Sequence, residues 1–422
     1  MKITLPYGRT GLELELPDSV HVIRGPSETP LDEPAEAVAR ALETPIDSSP
    51  LRSLVRPDHR VAIVHSDITR ATPNALLLPP LLAALERAGV NDANITLINA
   101  TGMHRVQTDE ELSAMLGEAV ARRYRRVQHD ARDASMLARV GRTSSGNDLA
   151  VNRAWVEADF RIATGFIEPH FFAGYSGGPK AVLPGIAGES SILYNHRASN
   201  IDHPRATWGV TDGNPVWEEM AEAARLARTD FLVNVTLDAE KRVTGVFAGD
   251  PASAHRAGCA HVRSFAMAAV DAPFDIVIAS NSGYPLDQNL YQAVKGMSAA
   301  AGITAYGGSI ILAAACEEGL PRGSCYEDLL SRFRDPDSFL AALESGAVSE
   351  AEQWQVQVQA KILSKNEVYL YSDGVGAADA ERAMLRHSAD IPATLAALLR
   401  RYGPRSSVAV LPDGPQCIPY IK

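Results

Sequence analysis

The sequence predicts an α/β protein of two domains, with mainly parallel sheets flanked by helices and an active site in the cleft between them. Three observations carry this expectation. Short apolar runs rich in β-branched residues recur along the 422-residue chain. Most of them end in Gly, Asp, Asn or Ser, as a parallel strand does where it enters a loop. Helix-patterned segments lie between them, and the length suffices for two hydrophobic cores.

Taken in order, "MKITLPYGRTGLELELP" alternates apolar and polar residues as a first strand does, and lacks the continuous apolar core of a signal peptide. "RVAIVHSD" (60–67), "NITLINATG" (94–102) and "DFRIATGF" (159–166) follow as strands. Between the first two, "PPLLAALERAG" (79–89) reads as a helix with Leu81, Leu82 and Leu85 on one face and Gly89 as its C-cap. "FLVNVTLDAEKRVTGVFAGDP" (231–251) reads as a hairpin, and "ASAHRAGCAHVRSFAMAAV" as a helix after it. A second series of strands begins at Phe274: "FDIVIASNSG", "GSIILAAAC", "EVYLYSDG" and "SVAVLPDG". This places a boundary near 268–273 and assigns 1–268 plus the returning tail 400–422 to an N-terminal domain, and 269–399 to a C-terminal one.

Composition narrows the function. A formal net charge of −11 and a sequence pI near 5.5 oppose a nucleic-acid or anionic-membrane partner, which requires a basic field. A small anionic substrate stays compatible wherever a few cations converge. The longest apolar run, "ALLLPPLLAAL" (75–85), is too short to span a bilayer and is broken by prolines. The four cysteines are dispersed with no CxxC pair, which suggests buried thiols in a reducing cytoplasm.

The most unusual stretch is "FIEPHFFAGYSGGPKAVLPGIAG" (166–188), with five glycines, a histidine and one lysine in an apolar setting. Lys180 does not fit a nucleotide-binding P-loop, because Ala181 stands where that loop needs Ser or Thr. The amides of Gly174, Gly177 and Gly178 remain candidates for approach to a phosphate or a planar ring. A lysine held in so dry a place can lose its proton and serve as a nucleophile or an attachment point.

His104 in "TGMHR", His170 in "EPHFF" and His196 in "LYNHRAS" all fall in loops after strand-like or Gly-rich runs. Histidine suits acid/base work near neutral pH and metal ligation. No HExxH or His/Cys pair suggests a zinc hydrolase. "SDITRATPN" allows two readings: a turn with Asp67 as helix cap and Arg70 solvated, or Arg70 as a bidentate clamp for a carboxylate or phosphate. "DQNLYQAVKGMSAA" likewise reads either as a polar helix face or as a site built from Tyr291, Gln292 and Lys295.

Together these motifs resemble the lactate racemase family: "DITRATP", "TGMHR", the 166–188 stretch, "NHRAS", "YQAVKGMSAA" and "EQWQ" occur in family order over nearly the whole chain. The resemblance implies a nickel-pincer nucleotide, a pyridinium-3-thioamide-5-thiocarboxylate mononucleotide, joined covalently to Lys180, with His196 as the protein ligand of Ni(II). The glycines would then admit the planar cofactor, and Asp67 would help hold the nucleotide or Arg70. It implies inversion of the C2 centre of a 2-hydroxy acid by hydride transfer, with His104 and His170 as the acid/base pair. Arg70 and Lys295 would neutralise the substrate carboxylate, Tyr291 and Gln292 would orient it, and Trp354 would stand nearby. Separate maturation proteins would make the cofactor.

Ile68 and Ala71 depart from the His–Thr–Arg–Pro of lactate-specific members. That extends the expected substrates to malate, aromatic 2-hydroxy acids and sugar acids. A dicarboxylate would require a further cation, for which Arg105 and Arg197 are the candidates. The competing expectations are a nucleotide-dependent transferase using the glycine loop and a binding homologue without catalysis.

Overall fold

The computed structural model describes Met1–Lys422 and divides into two units. One comprises Ser27–His196 and His203–Arg263; the other comprises Met1–Pro26, Arg197–Asp202 and Ser264–Lys422.

The first unit is built on a six-stranded sheet ordered Val243–Gly249, Phe231–Leu237, Phe160–Phe166, Val61–Ser66, Ile95–Ala100, Arg125–Gln128. All neighbours are parallel except the outermost pair, Phe231–Leu237 with Val243–Gly249. Strands covered on both faces need apolar residues throughout, and all seven residues of Phe160–Phe166 are buried. The chain leaves Val61–Ser66 toward one edge and resumes at Phe160–Phe166 toward the other. The carboxyl ends of these two adjacent strands therefore form the switch point at which open α/β sheets leave a crevice.

The first helix of the expected series spans Asn74–Arg87 rather than starting at Pro79, so that Pro79 and Pro80 lie inside it. Internal prolines remove helix hydrogen bonds. Here Leu77, Leu78, Leu81, Leu82 and Leu85 are all buried in the core, and their packing outweighs that loss.

The second unit carries a sheet that is parallel throughout, ordered Arg386–His387, Glu367–Tyr371, Thr304–Ala313, Phe274–Ser280, Val408–Leu411, His21–Val22. Ile276, Ile278, Ile311 and Val410 form its core with Leu5 and Leu395.

The division differs from the one expected from the sequence. The tail does not return to the N-terminal unit: Val408–Leu411 is hydrogen-bonded to Phe274–Ser280, and Ile418–Ile421 to Met267–Val270. The exchange runs the other way, with the first 26 residues joining the C-terminal unit through His21–Val22. The helix expected over 252–270 ends at Ala266, and "MAAV" is instead the strand that Ile418–Ile421 pairs with. No helix is long and apolar enough to cross a membrane.

Candidate active site

The candidate residues of the first unit stand on loops at the carboxyl ends of its central strands. Val61–Ser66 delivers Asp67, Thr69 and Arg70; Ile95–Ala100 delivers His104; Phe160–Phe166 delivers His170 and Lys180. The two latter loops are joined by the Gly102 N–H, which donates to the Gly185 carbonyl at 2.9 Å.

Asp67 is 3% exposed and caps no helix. Its Oδ2 lies 2.8 Å from His104 Nδ1, and its Oδ1 accepts the Thr69 hydroxyl at 2.8 Å. Burial alone would raise the Asp67 carboxyl, but His104, Arg70 and the Thr69 hydroxyl together hold it below its ordinary value. An ionised carboxylate on Nδ1 fixes the ring and its tautomer, so acid/base work by His104 must run through Nε2. Thr69, which sequence reasoning passed over, is recognisable afterwards as a hydroxyl two residues beyond an aspartate, a common local pairing.

Arg70 is half-buried, and its Nη1 is buried without a hydrogen-bond partner. A guanidinium donor withheld from water and protein alike is costly unless an anion comes to it. Arg105, offered above as a further cation for a dicarboxylate, is turned to other use. It makes a bidentate pair with Glu111 at 2.8 and 2.7 Å, within the capping box that starts helix Asp109–Leu116.

His170 lies in a short hairpin in which Pro169–His170 pairs with Gly174–Tyr175. The Ala173 N–H donates to His170 Nδ1 at 3.2 Å. A backbone N–H can only donate, so Nδ1 is bare and the proton of the neutral ring resides on Nε2. Nε2 is 3.4 Å from Lys180 Nζ.

His196, at the end of helix Glu189–Asn195, is 3% exposed. Burial, reinforced by the nearby Lys180, pushes its imidazole down to about 3, so the ring is neutral and chemically fit to be a metal ligand. Phe172 connects these groups. Its ring meets His170 edge-on at 4.6 Å and His196 edge-on at 5.2 Å, and Lys180 Nζ lies 5.7 Å from its centroid. No group of three or more His, Cys, Asp or Glu side chains converges to hold a metal ion.

The glycines do not form the open cradle expected for a planar cofactor. Gly174, Gly177 and Gly178 have φ of +77°, +70° and +51°, and the space beside each is filled by the protein. A Cβ on Gly174 would come within 2.9 Å of the Val210 carbonyl carbon, and one on Gly177 within 2.6 Å of Asn234 Oδ1. The Gly178 N–H is not left for a phosphate, since it donates to Asn234 Oδ1 at 2.7 Å. These residues are glycines because the turn is left-handed and pressed against its own core.

The remaining candidates lie in the second unit. On helix Leu290–Ala301 the buried Lys295 donates through Nζ to Gln292 Oε1 at 2.9 Å. The buried Trp354 donates its indole N–H to the Tyr291 hydroxyl at 2.9 Å, so Trp354 orients Tyr291.

Residues 7–209 match the family described as "Lactate racemase N-terminal domain" and residues 269–418 the "Lactate racemase C-terminal domain". The chain is similar to the lactate racemase of Thermoanaerobacterium thermosaccharolyticum, 37% identical over 420 residues, which covers 98% of this chain and 97% of that protein. It is equally similar to the lactate racemase of Lactiplantibacillus plantarum, at 37% identity covering 98% of each. The solved lactate racemase apoprotein from T. thermosaccharolyticum superposes with a TM-score of 0.91 at 35% identity, covering 99% of this chain and 100% of that one. A Thermotoga maritima protein at 20% identity shares the fold, with a TM-score of 0.72 over 94% of this chain and all of that one.

Proposed function

The chain belongs to the lactate racemase family, and on that premise we propose that it is an isomerase inverting the C2 centre of a 2-hydroxy acid, with His104 and His170 as its two acid/base groups. The observation that carries this is the pair of oriented imidazoles. Asp67 fixes one ring and the Ala173 N–H the other, each on a loop from a central strand end. Racemisation without facial bias needs an acid/base group for each enantiomer, and in the state described His104 offers a bare Nε2 as acceptor and His170 a protonated Nε2 as donor.

The residues fit a lysine-borne nickel-pincer nucleotide. Lys180 Nζ stands 3.4 Å from His170 Nε2, His196 is a buried neutral imidazole, and a metal here would have to bring most of its ligands with it. Bound covalently to Lys180 and ligated through Ni(II) by His196, that cofactor supplies a hydride acceptor and donor. The chain's own residues do the rest. Arg70 takes the substrate carboxylate on its unpartnered Nη1. One histidine accepts the hydroxyl proton and holds it, and a histidine returns it once the C2 face has changed. Phe171 and Phe172 flank His170, and Trp208 packs against Phe171, an aromatic surface that keeps water from the reacting centre. The assignment of Lys295, Gln292 and Tyr291 to the carboxylate, and of Trp354 behind Tyr291, rests on the family resemblance. So does the need for maturation proteins.

Arg105 is committed to Glu111, which leaves Arg197 as the candidate cation for a dicarboxylate such as malate. The transferase alternative is disfavoured by the commitment of the Gly178 N–H to Asn234, which takes an anion donor from the glycine loop.

The test is incubation of the cofactor-loaded enzyme with one enantiomer of lactate in D2O. The expected result is loss of optical purity with the C2 hydrogen retained by proton NMR. Deuterium at C2 would replace hydride transfer by proton abstraction. Unchanged optical purity across a panel of 2-hydroxy acids would reject the racemase assignment.

A further inference from the structure

We propose that His255, on helix Pro251–Ala266, is a positioning residue for Lys180, acting through Ser176 and Gly178 to set where the lysine amine stands. The functional weight of this inference rests on the role proposed for Lys180; its geometry stands independently.

His255 is 2% exposed and is held on every side that the turn does not occupy. Its Nε2 lies 2.9 Å from the Ser176 carbonyl, which can only accept, so Nε2 carries the proton and Nδ1 is the bare nitrogen. Cys259, one helical turn on, places its Sγ 3.3 Å from Nδ1 as a weak donor. The ring stacks on Trp217 at 4.9 Å between centroids and 25° between planes. Burial drives the imidazole down to about 4, which keeps this one tautomer at neutral pH.

The Cδ2–Nε2 edge of the ring abuts the lysine turn. A Cβ on Gly178 would fall 2.6 Å from His255 Cγ and 2.9 Å from Nε2. The same glycine is held from the other side by its N–H bond to Asn234, so the backbone at 178 is clamped between a strand residue and a helix residue. Gly178 opens the one-turn segment Gly178–Ala181, and the Lys180 N–H bonds back to the Gly177 carbonyl at 3.1 Å. Only Pro179 separates the clamp from Lys180, and a turn this short transmits a displacement of its first residue to its third.

The experiment is acylation of the full-length, cofactor-free chain with acetic anhydride. The labelling rate of Lys180 is read by peptide mass spectrometry as a ratio to Lys361, which is 40% exposed and belongs to the other unit. In H255A the ratio is expected to move by up to about 10²-fold, the scale of a 1 Å misplacement. H255F keeps the wedge and the stack but loses the Ser176 bond, and H255Q keeps a donor but loses the stack. Each is expected to shift the ratio by less than H255A.

A role confined to stability would lower the unfolding temperature while leaving the ratio at its wild-type value in molecules that remain folded. That result in H255F and H255Q overturns the proposal, whether or not H255A folds. G178A is expected to perturb the ratio less in an H255A background than alone, since its clash is with that ring; equal effects also overturn it. The assay needs no cofactor, so its failure is distinct from failure of the racemase assignment.

Discussion

Asp67 and His104 form a carboxylate–imidazole pair, Oδ2 to Nδ1 at 2.8 Å, across 37 residues of sequence. The carboxylate is buried and the ring is 27% exposed on its side chain. The pair therefore has one anchored member and one that reaches outward. Because the folded-state value of Asp67 is depressed, its contribution to stability is present above the ordinary carboxylate range and is lost as pH falls through the depressed value. Throughout the neutral range Asp67 is an anion, and the anion holds the His104 ring in one tautomer.

Asp67→Asn should therefore cost rate rather than binding. Asparagine can keep a contact to Nδ1, but as an N–H donor it drives the ring proton to Nε2, the atom that must accept. The expected outcome is a fall in kcat on the order of 10²-fold, with KM and the unfolding temperature little changed. Wild-type kcat in this variant would remove His104 Nε2 from the acid/base role.

Arg70→Ala should raise KM or lower kcat/KM by about 10- to 10²-fold, the worth of a hydrogen bond to a charged group in a dry site. Arg70→Lys should recover only part, because an ammonium cannot reproduce the guanidinium fork. Arg70→Ala should change the unfolding temperature little, since the loss of a cation that holds Asp67 ionised is offset by removal of a buried donor that the folded chain leaves unsatisfied. A marked loss of stability would show Arg70 to be a structural residue.

The strands were legible because their cause is local: runs such as Phe160–Phe166 are apolar at every position, and nothing else fits a strand buried on both faces. Helix Leu290–Ala301 was legible for the same reason, with Asn289 as a side-chain cap at its start. What the sequence hid depends on distant partners. The Asp67 side chain looked like a cap until His104 arrived from the neighbouring strand, and Arg105 looked available until Glu111 folded back on it. Gly178 looked like room for a ligand because His255, its neighbour in space, lies 77 positions away. The first 26 residues looked like part of the N-terminal domain because only strand pairing at His21–Val22 reveals where they belong. Pro79 and Pro80 looked like a helix start because the leucines around them matter only once the core exists.

Gly174→Ala should destabilise the cofactor-free chain by about 3 kcal/mol, combining a positive φ with a clash against the Val210 carbonyl. Urea unfolding of the unloaded protein reads this directly. An unloaded variant as stable as wild type, yet unable to take up cofactor, would restore these glycines to the role of leaving space for a ligand.

Stability should rise with pH between about pH 5 and 7. His65 and His255 are pushed down to about 4 by burial, and His129 is lowered by the same cause. Unfolding lets each regain its ordinary value of 6.5, so the unfolded chain binds more protons in this window. His65 and His255 then each contribute up to about 1.4 kcal/mol per pH unit, and His129 acts in the same direction. Urea midpoints at pH 5, 6 and 7 should increase in that order, and midpoints independent of pH would contradict the buried, neutral assignment of these rings.

The central claim, that Lys180 is the attachment point of a nickel-bearing cofactor in a racemase, is tested most directly by intact mass and nickel content after co-expression with pincer-nucleotide maturation enzymes, beside a Lys180→Ala control. The expected result is a mass increment on the peptide containing Lys180 together with bound nickel, the increment being absent from the control. Unmodified, nickel-free wild-type protein, made alongside a family member that loads normally, would contradict it.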